Sequence, residues 1–191
     1  MRFDTRKLLV ALACGAALGA CSRAPVRAFH DPNMDFGSVK SVAVMPFVNL
    51  SRDQSAGDRV RDVFSTSLFA SGTVYVVPPG EVARALQTAG VPNPNAPTID
   101  EVVRLGKLLK VDAVITGVVK EYGEVRSGAS SANAVALSAQ MQEVGTGRVV
   151  WSASTTKGGI GASERMFGGG GEPLNNVTQE AVDDLLDKLF R

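Results

Sequence analysis

An α/β (α+β) fold, with a mixed sheet of about five strands and helices packed on it in the order β-α-β-α-α-β-β-β-α, is what this sequence predicts. Three observations carry the prediction. Short β-branched apolar runs at Val39–Phe47 and Val74–Val77 are separated by stretches with apolar residues at helical spacing. Three strand-like segments then follow one another directly, the last two joined by Gly145-Thr146-Gly147. The chain closes on an amphipathic stretch. Strands that first alternate with helices and then run consecutively imply a sheet of mixed direction, which buries its apolar surface under helices.

Val39–Phe47 is apolar enough for a strand buried on both faces. After a polar loop, Val48–Ala56, Ser55 stands where it can cap a helix over Gly57–Ala70. Val60, Val63, Phe64, Ser67 and Leu68 form one stripe of that helix, and Ser71-Gly72 ends it. Val74–Val77 is a short strand stopped by Pro78-Pro79. A helix near Glu81–Ala89 turns Val82, Ala85, Leu86 and Ala89 inward and has Gly90 as its C-cap. Three prolines make Pro92–Pro97 a loop. Thr98-Ile99-Asp100-Glu101 is a capping box that starts a third helix carrying Val102, Leu105 and Leu109, with Lys107 and Lys110 at its end. Val111–Tyr122, Val135–Val144 and Arg148–Thr155 are the remaining strands, the last two forming a hairpin. Lys157–Gly171 holds seven glycines and forms no packed element alone. Pro173 opens the last helix, which buries Leu174, Val177, Ala181, Leu185 and Leu189 and keeps Glu180, Asp183, Asp184 and Asp187 wet.

The N-terminus reads differently. Arg2, Arg6 and Lys7 precede Leu8–Leu18, an apolar run of eleven residues, short of the roughly 20 that a transmembrane helix takes. Charged and then greasy is the order of a secretory signal. The run ends Leu18-Gly19-Ala20-Cys21, which resembles the bacterial lipobox. The resemblance implies cleavage before Cys21 and lipid on that cysteine, with more than one acyl chain, as stable anchoring requires. An ordinary secretory signal with a chance cysteine is the alternative. Ser22, in the place where an Asp would mean inner-membrane retention, implies the outer membrane. Residues 1–20 are thus a signal peptide, 21–38 a lipidated tether, and 39–191 a single domain. Fully extended, Ser22–Ser38 would reach roughly 55–60 Å. A terminal segment packed on the domain through Phe29, Met34 and Phe36 is the other reading of that stretch.

Composition excludes several function classes. The signal carries a net +2, so the whole-chain charge of +1 leaves −1 for the mature chain. With 6% aromatic residues and no basic stripe, nucleic acid is not an expected partner. Cys14 leaves with the signal and Cys21 takes lipid, so the mature chain has no disulfide. His30 is the single histidine, which argues against histidine-based zinc sites and Ser/His or Cys/His nucleophiles. No GxxxxGK[ST] or GxGxxG fingerprint occurs. Ser154-Thr155-Thr156-Lys157 matches SxxK but ends a strand, where that chemistry needs a helix start. Charged residues such as Glu101, Asp112 and Glu121 read as caps or a solvated face. No catalytic residue, cofactor, metal or small-molecule substrate is expected, and the protein is read as not an enzyme.

Ser41-Val42-Ala43-Val44-Met45-Pro46-Phe47 with Asn49, Val111-Asp112-Ala113-Val114-Ile115-Thr116-Gly117, and Thr146-Gly147-Arg148-Val149-Val150-Trp151-Ser152 resemble one superfamily of bacterial envelope proteins. It includes the curli exporter CsgG, the amino-terminal domain of TolB, the ring-forming PelC of polysaccharide export, and LpoB, which activates a peptidoglycan synthase. The resemblance covers roughly Val39–Thr156. It implies an outer-membrane-anchored periplasmic lipoprotein acting as an oligomeric scaffold of an envelope export or biogenesis machine. A tethered LpoB-like regulator is the alternative, and a CsgG-type secretion channel a further one. The channel is disfavoured because Gly123–Asn133 and Lys157–Gly171 are too short for membrane-spanning hairpins. Residues with an expected role are then Cys21 for lipid, with Trp151, Met166 and Phe167 as interface candidates. For each of the last three, packing within the domain itself is the competing reading. Pro46 ends its strand, Phe47 belongs to the core, and Asn49 bonds its own loop backbone.

Overall fold

A computed structural model describes residues 28–128, 130–161 and 171–191. Seven strands form one mixed sheet: β1 (Ala28–His30), β2 (Ser41–Val44), β3 (Val48–Asn49), β4 (Tyr75–Val76), β5 (Ala113–Ser127), β6 (Ser130–Glu143) and β7 (Val149–Gly158). The order across the sheet is β1-β7-β6-β5-β2-β4, with β3 also paired to β5. β2 is parallel to β4 and β5, whereas β5, β6, β7 and β1 are successively antiparallel. The helices are α1 (Ala56–Ala70), α2 (Pro79–Ala89), α3 (Ile99–Leu109) and α4 (Leu174–Leu189). The fold class is the one expected. The sheet has two more strands, because β1 and β3 hold three and two residues, too few to show a period.

The first correction concerns the tether. Within the range 21–38, residues 28–38 belong to the domain. Ala28, Phe29 and His30 pair with Ala153, Ser152 and Trp151. Asp31 is buried, its amide donates to the Val150 carbonyl, and its carboxylate pairs with Arg148. Met34 and Phe36 then pack on the core before one turn of 3-10 helix at Phe36–Ser38. The physical reason is an edge: β7 needs a partner for its outer backbone groups, and this segment supplies it. A second correction is at Ser55, whose hydroxyl donates to the Asp53 carboxylate and does not cap α1. A third is at Gly123–Asn133, which is not a gap but the paired end of β5 and β6, with Gly123 opposite Ala134 and Ser127 opposite Ser130.

Alternation along the strands divides the core in two. Val42, Val44, Ile115, Leu137, Met141 and Trp151 meet α1 and α4 through Val60, Phe64, Leu68, Val177, Ala181 and Leu185. On the opposite face Ala43, Met45 and Val114 meet α2 and α3 through Val82, Leu86, Val102 and Leu105. Each valine, leucine, isoleucine, methionine or phenylalanine among them contributes roughly 1.5–3 kcal/mol by leaving water. The helix ends match their sequence signals. Gly90 is left-handed at φ 60°, and the Thr98–Glu101 capping box is reciprocal.

Two glycines mark close approaches. A Cβ on Gly106 would fall within 2.1 Å of Val144, and one on Gly117 would fall 2.6 Å from the Phe47 ring. Phe47 lies buried between that glycine and Phe64, whose ring is 5.7 Å away. Gly117→Ala is therefore expected to cost about 1–3 kcal/mol by overpacking, read as a lower urea midpoint. Phe47→Leu should recover part of that loss in the double variant, since the two positions share one contact.

Candidate interaction surface

Outward alternation on β5, β6, β7 and β1 presents Val118, Lys120, Ser138, Gln140, Ser152, Ser154 and Phe29 on the face that carries α2 and α3. Those helices cover only β2 and the beginning of β5. The loop around Asn95, Ala96 and Pro97 leans over the next stretch and bounds a shallow cleft of about 380 Å³ against Thr116, Val118, Ser138 and Ser152. Beyond it the sheet lies bare, and a second depression holds Phe29, Lys120, Ser138 and Ser154. Phe29 keeps 49% of its surface exposed. The chemistry of this face is hydroxyls, amides, one cation and one ring. It is flat and polar, suited to another protein layer more than to a small molecule. Among the described residues, no three His, Cys, Asp or Glu side chains are placed to hold a metal.

The residues singled out by sequence fall elsewhere. Cys21, Met166 and Phe167 lie outside the described residues. Trp151 is corrected: it is wholly buried on the helical face, with Nε1 donating to the Lys188 carbonyl at 3.1 Å, so no neighbour can touch it. A Trp in a strand pays for burial only when its N–H finds an acceptor, and the end of α4 provides one. Lys188 in turn donates to the Ser154 carbonyl at 3.0 Å and to Asp184, which also pairs with Lys157 at 3.2 Å. Ser154 and Lys157 of the SxxK match are thus strand residues tied to α4. His30 sits in β1, not in a tether, its ring edge-on to Phe36 at 5.4 Å. Glu101 caps α3, Asp112 holds the Lys40 and Ser41 amides, and Asn49 accepts from the Ser51 amide at 2.9 Å. Among the described residues, no helix is long and apolar enough to cross a membrane.

The bare face escaped sequence reasoning, although its signal was present. Val135–Val144 alternates, and its polar members Ser138, Gln140 and Gln142 form the row that faces away from α4. What could not be read was that, among the described residues, no helix covers Ser138 and Gln140 of that row.

The sequence profile of the GNA1162-like lipoproteins matches residues 34–189. This chain belongs to that family. No curated protein matches it by sequence. Among solved structures, lipoprotein GNA1162 from Neisseria meningitidis is similar at 19% identity and a TM-score of 0.57, over 79% of this chain and 98% of that one. A PelC dodecamer from Paraburkholderia phytofirmans is similar at 18% identity and 0.57, over 86% and 98%. The LpoB C-terminal domain from Salmonella enterica is a looser match, at 16% and 0.49 over 66% and 86%. At these identities the likeness is one of fold. For this GNA1162-like lipoprotein, kinship with CsgG and TolB rests on the motifs alone.

The Asp184 cluster makes the contact between α4 and β7 sensitive to acid. Partial burial raises the Asp184 pKa, but hydrogen bonds from Lys188, Thr155 and Lys157 outweigh it and bring the carboxyl from 3.8 to about 2. A carboxyl depressed in the folded state stabilises the fold above its unfolded value and loses that contribution as pH falls through the folded one. The urea midpoint should therefore drop between about pH 4 and pH 2. Asp184→Asn should flatten that drop while lowering the midpoint at pH 7.

Proposed function

We propose that this GNA1162-like lipoprotein is a non-enzymatic scaffold component, anchored at the periplasmic face of the outer membrane through lipid on Cys21. Its copies assemble into a ring that serves an envelope export or biogenesis machine. The observation that carries this reading is the face of β5, β6, β7 and β1, which no helix covers among the described residues. A sheet face of that extent is complemented by the outer side of a helical layer, and α1 and α4 of a second copy offer one. Sheet face and helix face are different surfaces, so the contact is head-to-tail, and repeated by rotation it closes a ring. PelC, of similar fold, is a dodecamer. Against a CsgG-type channel, the arms of β5 and β6 beyond Tyr122 and Val135 have five residues each, where a spanning strand takes about 9–11.

Ser138→Arg together with Ser152→Arg adds bulk and charge to the bare face. In detergent, the lipidated double variant should fall to the mass of one subunit by light scattering, while wild type gives a multiple. Melting should change little, since surface substitutions stay within about 0.5 kcal/mol. A wild-type protein that is monomeric at tens of micromolar defeats the ring and supports the tethered regulator of a peptidoglycan synthase. For the anchor, Cys21→Ala should abolish lipid labelling and release the protein from membranes washed with carbonate.

A further inference from the structure

We infer that the inner end of the bare face is a binding site for an uncharged sugar chain, held between the loop at Asn95, Ala96 and Pro97 and the side chains of Thr116 and Gln142. The inference goes beyond the scaffold reading and does not rest on copies of the chain meeting. Most of the face is flat, but at this end it has a wall. The loop stands over β5 and β6 and encloses the cleft of about 380 Å³.

Two side chains mark the cleft as a place for a polar ligand. Thr116 and Gln142 keep only 5% and 7% of their surface exposed, and both line it. Among the described residues, neither side chain has a hydrogen-bond partner. Burial strips water from a hydroxyl or an amide, and native folds pair nearly all such groups. Here their polar atoms open on the cleft. Among the described residues, the side-chain polar atom sealed from water without a partner is His30 Nε2, which lies elsewhere. Ser138, Gln140 and Ser152 continue the lining, with side chains equally unpaired.

The lining selects the class of ligand. It offers hydroxyls and amides, which donate and accept, and it holds no charged residue. A phosphate, carboxylate or amine would lose water there without gaining a counter-charge. A peptide that adds to a sheet needs an open edge, and β6 is paired on both sides, to β5 and to β7. A sugar ring carries hydroxyls at its rim, to meet Thr116, Gln140 and Gln142. Its faces carry C–H groups, to meet Gly117, Val118 and Ala139 on the floor. The row then continues outward. Thr116 stands opposite Gln140, Gln140 opposite Ser152, and Ser152 opposite Phe29. Three strand spacings put Phe29 about 14 Å from Thr116. Its half-exposed ring is a plate on which a further sugar of the same chain stacks its apolar face.

Saturation-transfer NMR on the lipidated protein, in a detergent without a sugar headgroup, tests the site. The probes are maltotriose, chitotriose, the anionic trigalacturonate and a capped glycine–serine–glycine peptide. At least one neutral trisaccharide should bind, and trigalacturonate and the peptide should bind about tenfold more weakly or less. Thr116→Val with Gln142→Met keeps the shape and removes the polar atoms. That variant should weaken the trisaccharide about tenfold while melting holds or rises, because no internal hydrogen bond is lost. Gln140→Ala, at the rim, should act in the same direction, and Phe29→Ala should weaken the trisaccharide more than the matching disaccharide. Each measurement is repeated on Thr66→Arg with Asp183→Arg, exposed positions on α1 and α4, which removes neighbouring copies under the ring reading and leaves the cleft intact. No binding of either neutral sugar at tens of millimolar in both proteins overturns the site. So does equal binding of trigalacturonate, or binding that the cleft variants leave unaltered. Saturation of the peptide in place of the sugars overturns it in favour of a protein segment. Light scattering on the same samples decides the ring separately.

Discussion

At the foot of the sheet, one oxygen of the Asp112 carboxylate accepts from the Lys40 amide, the Ser41 amide and the Ser41 hydroxyl at 2.8–2.9 Å. These donors, the Lys40 amide foremost, hold its pKa below the usual carboxylate range. The Asp112 amide returns a bond to the Ser41 carbonyl. At the other end of the same pairing, the Phe47 ring lies over Gly117, where no side chain would fit. Between these two fixed points Val42, Ala43 and Val44 pair with Ala113, Val114 and Ile115. A slip of one residue would turn every β2 side chain to the wrong face, exchanging the set that meets α1 and α4 for the set that meets α2 and α3. The two motifs of widest resemblance are therefore halves of one clasp that sets the register. They specify the fold.

The bare face follows from how the chain is connected. α1 joins β2 to β4, which lies outside it, while α2 and α3 join β4 back to β5 on β2's other side. Parallel crossovers are right-handed, so connections that step in opposite directions leave their helices on opposite faces. After β5 come β6 and β7, and among the described residues one helix is left. α4 goes to the face already holding α1, where Trp151 needs an acceptor and Asp184 meets two lysines. Among the described residues, no element remains for the other side of β6 and β7. Their outward row answers with Ser138, Gln140, Ser152 and Ser154, residues that tolerate water and also accept a neighbour.

Helices with caps and stripes were legible at nearly their observed bounds: Thr98–Glu101 before α3, Gly90 after α2, and the stripe of α4 all act locally, within one turn of chain. The three long strands and the Gly145–Gly147 hairpin were legible for the same reason. What failed was whatever depends on a distant partner. Residues 28–38 look like a linker, with two prolines nearby and no period, and become a strand only because β7 has a free edge. Gly123–Asn133, rich in serine and charge, looks like a loop and is a ladder because each arm pairs the other. Trp151 reads from sequence as core first and interface second, and the Lys188 carbonyl that fixes it in the core is 37 residues away. Ser55 looked like a cap until Asp53, two residues before it, took the hydroxyl.

Folding of residues 28–38 into the domain also changes what an anchored subunit can do. A reach of roughly 55–60 Å would let the domain search the space above the membrane, whereas about 25 Å keeps it at the surface. In the proposed ring other copies would stand beside the bare face, each held near the membrane by its own lipid. Confinement to a plane removes most of the orientational search that free subunits face, so modest, polar contacts suffice at the densities a membrane supplies. A helix face and a sheet face on opposite sides of each subunit would then meet in sequence around a circle, because confinement near one plane opposes the pitch of an open helix. The short linker and the uncovered face are in this way parts of one proposed geometry, and each would lose its use without the other.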